Sequence, residues 1–396
     1  MEVNSGSVGR IAEQMGTIAI ANGWESYITY ARNHNPSKSH TIKIGNKFDI
    51  LWHGLITRLF DRHCLCSKKA TKKLIKEIDK INPDIIQLHH IHGYFLNMEI
   101  LFEYLIAKKI PVVWIFHDCW AFTGHCAHFD YINCKKWKTG CFDCSLKKSY
   151  PASLIIDRSK KNYELKKDLF TKINNLTIVS VSKWLDNWVK NSFLSNIPNT
   201  IIYNGVDVTV FSPEVVPNDK IKRITVNSKV LLGVASTWSE RKGLKDFEML
   251  SSLLPNNYTI ILIGLSKGQI KMLPKNIIGI QRTENVQELA EWYCVADIVL
   301  NLSYEETFGL TTVEGMSCGT PGIVYNATAS PELVTPSTGI IVKSGDIDGV
   351  FAAVKIITSN GKAYYSKACR DRAIEYFNKN DRFQDYINLY KNKLHD

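Results

Sequence analysis

Two short clusters in the second half of this 396-residue chain carry residue types suited to chemistry. The first is Glu305-Glu306-Thr307-Phe308-Gly309-Leu310-Thr311-Thr312-Val313-Glu314-Gly315. A carboxylate accepts hydrogen bonds in pairs, so Glu306 and Glu314 suit the vicinal hydroxyls of a sugar. Glu306 would stand on the loop before a helix, and Glu314 further along that helix, facing the same crevice. Amides at the helix start, around Phe308, Gly309 and Leu310, could meet a phosphate or sugar oxygen. The second cluster, Ser239-Glu240-Arg241-Lys242-Gly243, puts two adjacent cations on a loop after a strand, where they could clamp a diphosphate. Taken singly, each cluster reads better as a solvated charged surface. Their order and placement give them weight.

A third cluster lies in the first half. Cys126, Cys134, Cys141 and Cys144 fall close together, with Cys119, His125 and His128 nearby. Cys141-X-X-Cys144 is a zinc half-site spacing, and four sulfurs suit a closed structural Zn²⁺ with no open position for catalysis. Free or redox-active thiols and disulfides are the alternatives. Ten cysteines in so long a chain do not make a secreted disulfide scaffold.

These residues need positioning elements. Continuous apolar runs such as Val112–Phe116, Val230–Val234, Thr259–Ile263 and Ile298–Leu302 read as strands buried on both faces, and helical patterns alternate with them. That alternation predicts an α/β doubly wound architecture. The series restarts after Tyr203-Asn204-Gly205, so a first domain is expected over residues 1–204, with a Cys-rich loop at 119–148. A linker follows over 205–227 and a second domain over 228–375, with a final helix over 376–396 packing back on the first. Gly6-Ser7-Val8-Gly9 reads as a turn before a helix over Ile11–Asn22. Only five residues precede it, so either the first strand is very short or the true start lies upstream.

Four elements then occur in one order: Ser-Glu-Arg-Lys-Gly at 239–243, Glu-Thr-Phe-Gly with Glu-Gly at 306–315, Cys318-Gly319-Thr320-Pro321-Gly322, and Tyr203-Asn204-Gly205-Val206-Asp207 with Phe211-Ser212-Pro213. Together they resemble the retaining glycosyltransferases of family 4, over almost the whole chain. His117-Asp118-Cys119-Trp120 resembles the members that build bacterial capsule, O-antigen or exopolysaccharide. The resemblance implies a GT-B fold, two Rossmann-like domains facing a cleft. It implies that Lys242 and Arg241 bind the donor diphosphate, Glu306 the transferred sugar and Glu314 the ribose. Phe308, Gly309 and Leu310 would contact sugar or phosphate, Gly6 and Gly9 would lie under the phosphates, and His117 would line the catalytic centre. The base would be met near 264–267 and 281–283. One departure is that Val234-Ala235-Ser236-Thr237-Trp238 lacks the further arginine many members carry there. No Asp-X-Asp metal motif stands in a suitable loop, so no cofactor is expected for catalysis.

The first 204 residues hold 28 Lys and Arg against 17 Asp and Glu, and the rest are balanced. Arg58, Arg62, Lys68, Lys69, Lys72, Lys73, Lys76 and Lys80 crowd one stretch. The resemblance implies a polyprenyl-diphosphate-linked saccharide acceptor, and the basic stretch fits peripheral contact with an anionic membrane, or an exposed face with no partner. No apolar run approaches the 18–20 residues or so of a spanning helix, and no signal peptide is read, so a cytoplasmic enzyme at the inner membrane face is expected. The rivals are a sugar-nucleotide epimerase on the same fold and a zinc-containing nucleic-acid binder. The balanced second half speaks against nucleic acid.

Overall fold

The computed structural model describes residues 2–395 and divides into two compact units. One comprises the chain up to Ile202 together with the segment from Phe383, and the other spans Tyr203–Arg382. Among the described residues no helix is long and apolar enough to cross a membrane.

The second unit is built on six parallel strands, β7 (Lys229–Val234), β8 (Tyr258–Ile263), β9 (Ile277–Ile280), β10 (Ile298–Asn301), β11 (Gly322–Tyr325) and β12 (Gly339–Val342). Their spatial order is β9-β8-β7-β10-β11-β12. Numbered within the unit this is 3-2-1-4-5-6, the Rossmann order, and it reverses between β7 and β10. Leu231, Leu232, Ile261, Leu262, Val299 and Leu300 are all buried, as continuous apolar runs require when helices cover both faces of a sheet.

Residues 205–227 do not form a free linker. Val206 pairs with the backbone on either side of Asn378, Phe211 packs on Tyr293 with ring centroids 5.8 Å apart, and Asp219–Thr225 is a helix burying Ile221. Apolar side chains at 206, 211 and 221 had core to bury into, which a polar-looking stretch concealed.

The first unit carries two separate parallel sheets. One pairs β1 (Tyr27–Tyr30) with β2 (His40–Lys43). The other has the order β3-β4-β5-β6, formed by Ile86–Leu88, Val112–Phe116, Leu176–Ser180 and Asn199–Ile201. Three helices matter below: α1 (Gly6–Ala21), α2 (Lys47–Phe60) and α3 (Lys68–Ile81). Gly6 and Gly9 lie in the first turns of α1, not in a turn before it. Asn4, with a φ of +48°, makes the turn and Ser5 is the extended N-cap, so the helix starts five residues before the apolar periodicity shows it. Ahead of α1, Val3 makes a single bridge to His34 and no longer strand. A cavity of about 470 Å³ opens between α1, β1 and β3. The last helix, Lys379–His395, buries Phe383, Tyr386, Ile387 and Tyr390, with Tyr390 lying 5.9 Å from the Trp24 ring.

Candidate functional site

In an open α/β sheet, ligands bind beyond the carboxyl ends of the strands where the order reverses. In the second unit those ends belong to β7 and β10. The loop after β7 carries Arg241 and Lys242 on a single 3-10 turn, Glu240–Lys242. The loop after β10 carries Glu305 and Glu306. The two loops are stitched together. Tyr304 N–H donates to the Arg241 carbonyl at 2.9 Å, and Arg241 Nη1 donates to the Glu305 carbonyl at 2.5 Å. Gly243 is required at the crossing, because its φ is +70° and a Cβ there would stand 2.1 Å from the Leu302 carbonyl oxygen.

This stitching brings Lys242 Nζ directly onto Glu306 Oε1. Their side chains are 16% and 14% exposed, so the pair is shielded yet reachable. Ser303 Oγ donates to the same carboxylate oxygen at 3.0 Å, and the Glu306 amide donates to Thr328 Oγ1 at 2.8 Å. Burial pulls the Glu306 pKa up, but Lys242 and Arg241 outweigh it and hold the carboxyl below its ordinary value. Glu306 is therefore an anion throughout the physiological range.

The other predicted residues are placed differently. Arg241 spends one guanidinium nitrogen on the Glu305 carbonyl. Gly309, with a φ of +103°, opens the helix Leu310–Ser317, and Phe308 is buried between the Tyr203 and Phe377 rings. Glu314 sits on that helix and accepts from Tyr293 OH at 2.8 Å through Oε2. The loops after β8 and β9 end on the same side of the sheet, tied by Gly264 and Leu265 amides that both donate to the Ile280 carbonyl.

In the first unit, His117 directly follows β4, and His89, His90 and His92 follow β3. The His89 and His117 rings stack at 5.2 Å with 12° between planes, and His89 Nδ1 lies 2.9 Å from His117 Nε2. The proton positions follow from the chain of partners. Tyr390 OH donates to Gln87 Oε1, which turns the Gln87 amide nitrogen toward His89 Nε2 at 2.5 Å. That nitrogen must accept, so His89 carries its proton on Nδ1 and donates it to His117 Nε2. His117 then carries its own proton on Nδ1. Burial, reinforced by the neighbouring histidines, pushes His117 well below the ordinary imidazole range and His89 down to about 3. Both rings are neutral at pH 7.

Asp118 is the carboxylate that meets these histidines. Its Oδ2 lies 3.0 Å from His92 Nε2 and 3.2 Å from His90 Nε2, while Oδ1 accepts the Trp120 amide at 2.9 Å. Gln87, His89, His90 and His92 escaped the sequence reading. The signal was present: three histidines within four residues at the carboxyl end of a strand. Gly6, Gly9, Gln87, His89, His90 and Tyr390 all line the 470 Å³ cavity.

Among the described residues, three or more metal-ligating atoms lie within 4.8 Å of one another at His90, His92 and Asp118 and at Asp61, His63 and His125. The second group is fully buried and already bonded. His125 Nδ1 meets Asp61 Oδ1 at 2.6 Å, Trp120 Nε1 donates to His63 Nδ1 at 2.9 Å, and Arg158 N–H donates to Asp61 Oδ2 at 2.9 Å. It pins the core under the Cys-rich loop. Cys126, Cys134, Cys141 and Cys144 do not form such a group, and all four are free thiols. The Cys126 thiol hydrogen-bonds Cys144 and holds it at about 7, and Cys141 Sγ accepts from the Gly124 amide at 3.1 Å.

Known proteins resemble this chain over most of its length. The profile described as "Glycosyltransferase Family 4" matches residues 14–210, and that described as "Glycosyl transferases group 1" matches residues 228–360. A relative from Escherichia coli K12, assigned to colanic acid biosynthesis as the glycosyl transferase WcaC, is 23% identical, covering 98% of this chain and 97% of its own. The lipopolysaccharide core biosynthesis mannosyltransferase LpcC of Rhizobium leguminosarum is 27% identical over 41% of this chain and 50% of its own. Among solved structures, HepE of Anabaena in complex with UDP and glucose superposes with a TM-score of 0.66 at 15% identity, covering 98% of both chains. A sucrose-phosphate synthase from Thermosynechococcus elongatus gives 0.71 at 15% identity, covering 99% of this chain and 94% of its own. With parallel α/β sheets in both units and these matches across nearly its whole length, the chain belongs to the family 4 glycosyltransferases and has the GT-B fold.

Proposed function

We propose that this protein transfers a hexosyl group from a nucleotide sugar to a saccharide carried on a polyprenyl diphosphate, with retention at the anomeric carbon. The setting is surface polysaccharide biosynthesis at the cytoplasmic face of the membrane. The observation that carries the reading is the Lys242–Glu306 pair at the β7/β10 reversal. Supporting it are the names of the relatives, which concern colanic acid and lipopolysaccharide, and the UDP and glucose bound by HepE.

The chemistry needs few groups. The bond from the anomeric carbon to the donor's phosphate oxygen breaks, and one forms to the acceptor hydroxyl oxygen on the same face. The acceptor's proton passes to the departing phosphate oxygen. Negative charge grows on the diphosphate, and Lys242, with three N–H donors, can meet it while keeping one bond to Glu306. Arg241 adds positive field from a guanidinium fixed by Glu305. Glu306 receives sugar hydroxyls, Glu314 the ribose, and the Phe308–Leu310 backbone a sugar or phosphate oxygen. His117, by the family resemblance, is the residue we assign to the lining of the catalytic centre.

Structural zinc on Cys126, Cys134, Cys141 and Cys144 is a separate part of the proposal. The Cys141-X-X-Cys144 spacing and the Cys126–Cys144 contact support it. Closing the cage requires the four sulfurs to draw together, and no catalytic step depends on it. Metal analysis of the purified protein decides it: one zinc per chain is expected, and none rejects it.

The enzymatic reading is tested with a panel of UDP, GDP and ADP sugars and a lipid-linked acceptor. Product with an unchanged anomeric configuration is expected. Conversion of the donor to an epimer without acceptor would replace the proposal.

A further inference from the structure

Helix α2 is built inside out. At about 100° per residue, Phe48, Leu51, Trp52 and Leu55 share one stripe, the i, i+3, i+4, i+7 pattern that normally faces a core. Here that stripe faces outward, with exposures of 81%, 69%, 60% and 48%. The opposite side buries polar residues instead: His53, whose Nδ1 meets Ser67 Oγ at 2.8 Å, and Thr57. Contiguous apolar surface of this kind marks an interaction site.

The surroundings say what it meets. Leu154, Ile155 and Ile156 are also exposed, and amides of that loop donate to the α2 carbonyls of Arg58 and Leu59. Between them runs a groove of about 550 Å³ with Ile56, Phe60 and Ile156 as its apolar lining, Arg62, Arg158, Lys160 and Lys161 as cations, and one acid, Asp157, whose carboxylate is taken up by the Cys144 and Ser159 amides. The only acid of α2, Asp49, is turned back onto the Asn46 cap. Beyond Arg62, α3 presents exposed Lys68, Lys69, Lys72, Lys73 and Lys76, which make no ion pair among the described residues. An apolar stripe edged by tryptophan and flanked by unneutralised cations complements a surface that is apolar inside and anionic at its face.

We infer that α2 and the 154–156 loop are the surface on which this protein lies on an anionic phospholipid bilayer. Phe48, Leu51, Trp52 and Leu55 enter the acyl boundary, and Arg62, Lys160 and Lys161 meet lipid phosphates. The inference stands apart from the proposed reaction, since it needs no donor or acceptor.

Flotation of the full chain with vesicles tests it. Vesicles containing phosphatidylglycerol should carry the protein, and pure phosphatidylcholine vesicles should carry at least tenfold less. Leu51→Ser with Trp52→Ser should reduce binding at least tenfold. Lys160→Glu with Lys161→Glu should reduce it severalfold and flatten its salt dependence. Inorganic phosphate at millimolar levels should not release the protein. All four positions are on the surface, so unchanged melting and unchanged soluble donor turnover are expected. Binding that ignores both pairs of substitutions overturns the inference. So does a dimer in sedimentation velocity that Leu51→Ser with Trp52→Ser dissociates while the wild type ignores vesicles, because the stripe would then belong to a second copy.

Discussion

Each unit gathers its reactive side chains at the carboxyl end of a parallel sheet, but in opposite electrostatic styles. The second unit sets full charges against each other, with Lys242 on Glu306 and Arg241 beside them. The first unit sets neutral rings against each other, with His89 stacked on His117, and shares the Asp118 carboxylate between His90 and His92. The difference lies in partners. A buried carboxylate stays ionised when a lysine lies against it, whereas a buried imidazole surrounded by other imidazoles sheds its proton. Charged groups suit a diphosphate and its developing charge, and neutral donors with fixed tautomers suit hydroxyls.

The contrast breaks most directly at the charged pair. Glu306→Ala and Lys242→Ala should each lower transfer kcat/KM by about 10³-fold, near 4 kcal/mol. Because the two act as a unit, the double variant should lose little more than either single one. Additive losses in steady-state kinetics would show that they work separately. Next comes the crossing that aligns them. Gly243→Ala puts a Cβ 2.1 Å from the Leu302 carbonyl oxygen, so chemical denaturation should show a loss of about 3 kcal/mol.

The neutral side is sharpened by Gln87→Glu. A carboxylate against His89 Nε2 should draw a proton onto that ring and remove its fixed tautomer. Activity should fall on the order of tenfold, about 1.4 kcal/mol, and gain a pH dependence between 6 and 8 that the wild type lacks. An unchanged pH profile would detach His89 from function.

The smallest effect is on stability. Burial lowers His53 to about 4 and His89 to about 3, and also lowers His63, His92 and His117. The unfolded chain therefore binds more protons below the ordinary value of 6.5. The associated stability is complete above that pH and is lost as pH falls toward 4. His125, raised by Asp61 against its burial, acts in the opposite sense but alone. Tm should drop by roughly 5 °C between pH 7.5 and 5. A Tm that rises over that interval would mean these rings are charged in the folded protein.

Much of the architecture was legible because buried parallel strands announce themselves as unbroken apolar runs. Val112–Phe116 matches the expected strand residue for residue, and the expected Val230–Val234 and Thr259–Ile263 each gain one residue at the start, as Lys229–Val234 and Tyr258–Ile263. β2 was not expected, since His40–Lys43 holds a single apolar residue, Ile42, among polar ones. Arg241, Lys242 and Glu306 were legible as charges on loops after strands. Their pairing was not, because it depends on β7 and β10 being neighbours in space while 64 residues separate Lys242 from Glu306.

The residue types themselves fixed several things: the doubly wound class, the family, the loops that carry charge and the excess of cations in the first half. These are local or additive properties, set by side-chain polarity and short-range spacing. Which nitrogen of His117 holds its proton, that Glu314 spends an oxygen on Tyr293, and that α2 turns its apolar stripe outward were decided only by tertiary structure. Each depends on what lies across from a side chain after distant segments have packed, and periodicity along a chain carries no information about which face will find a partner.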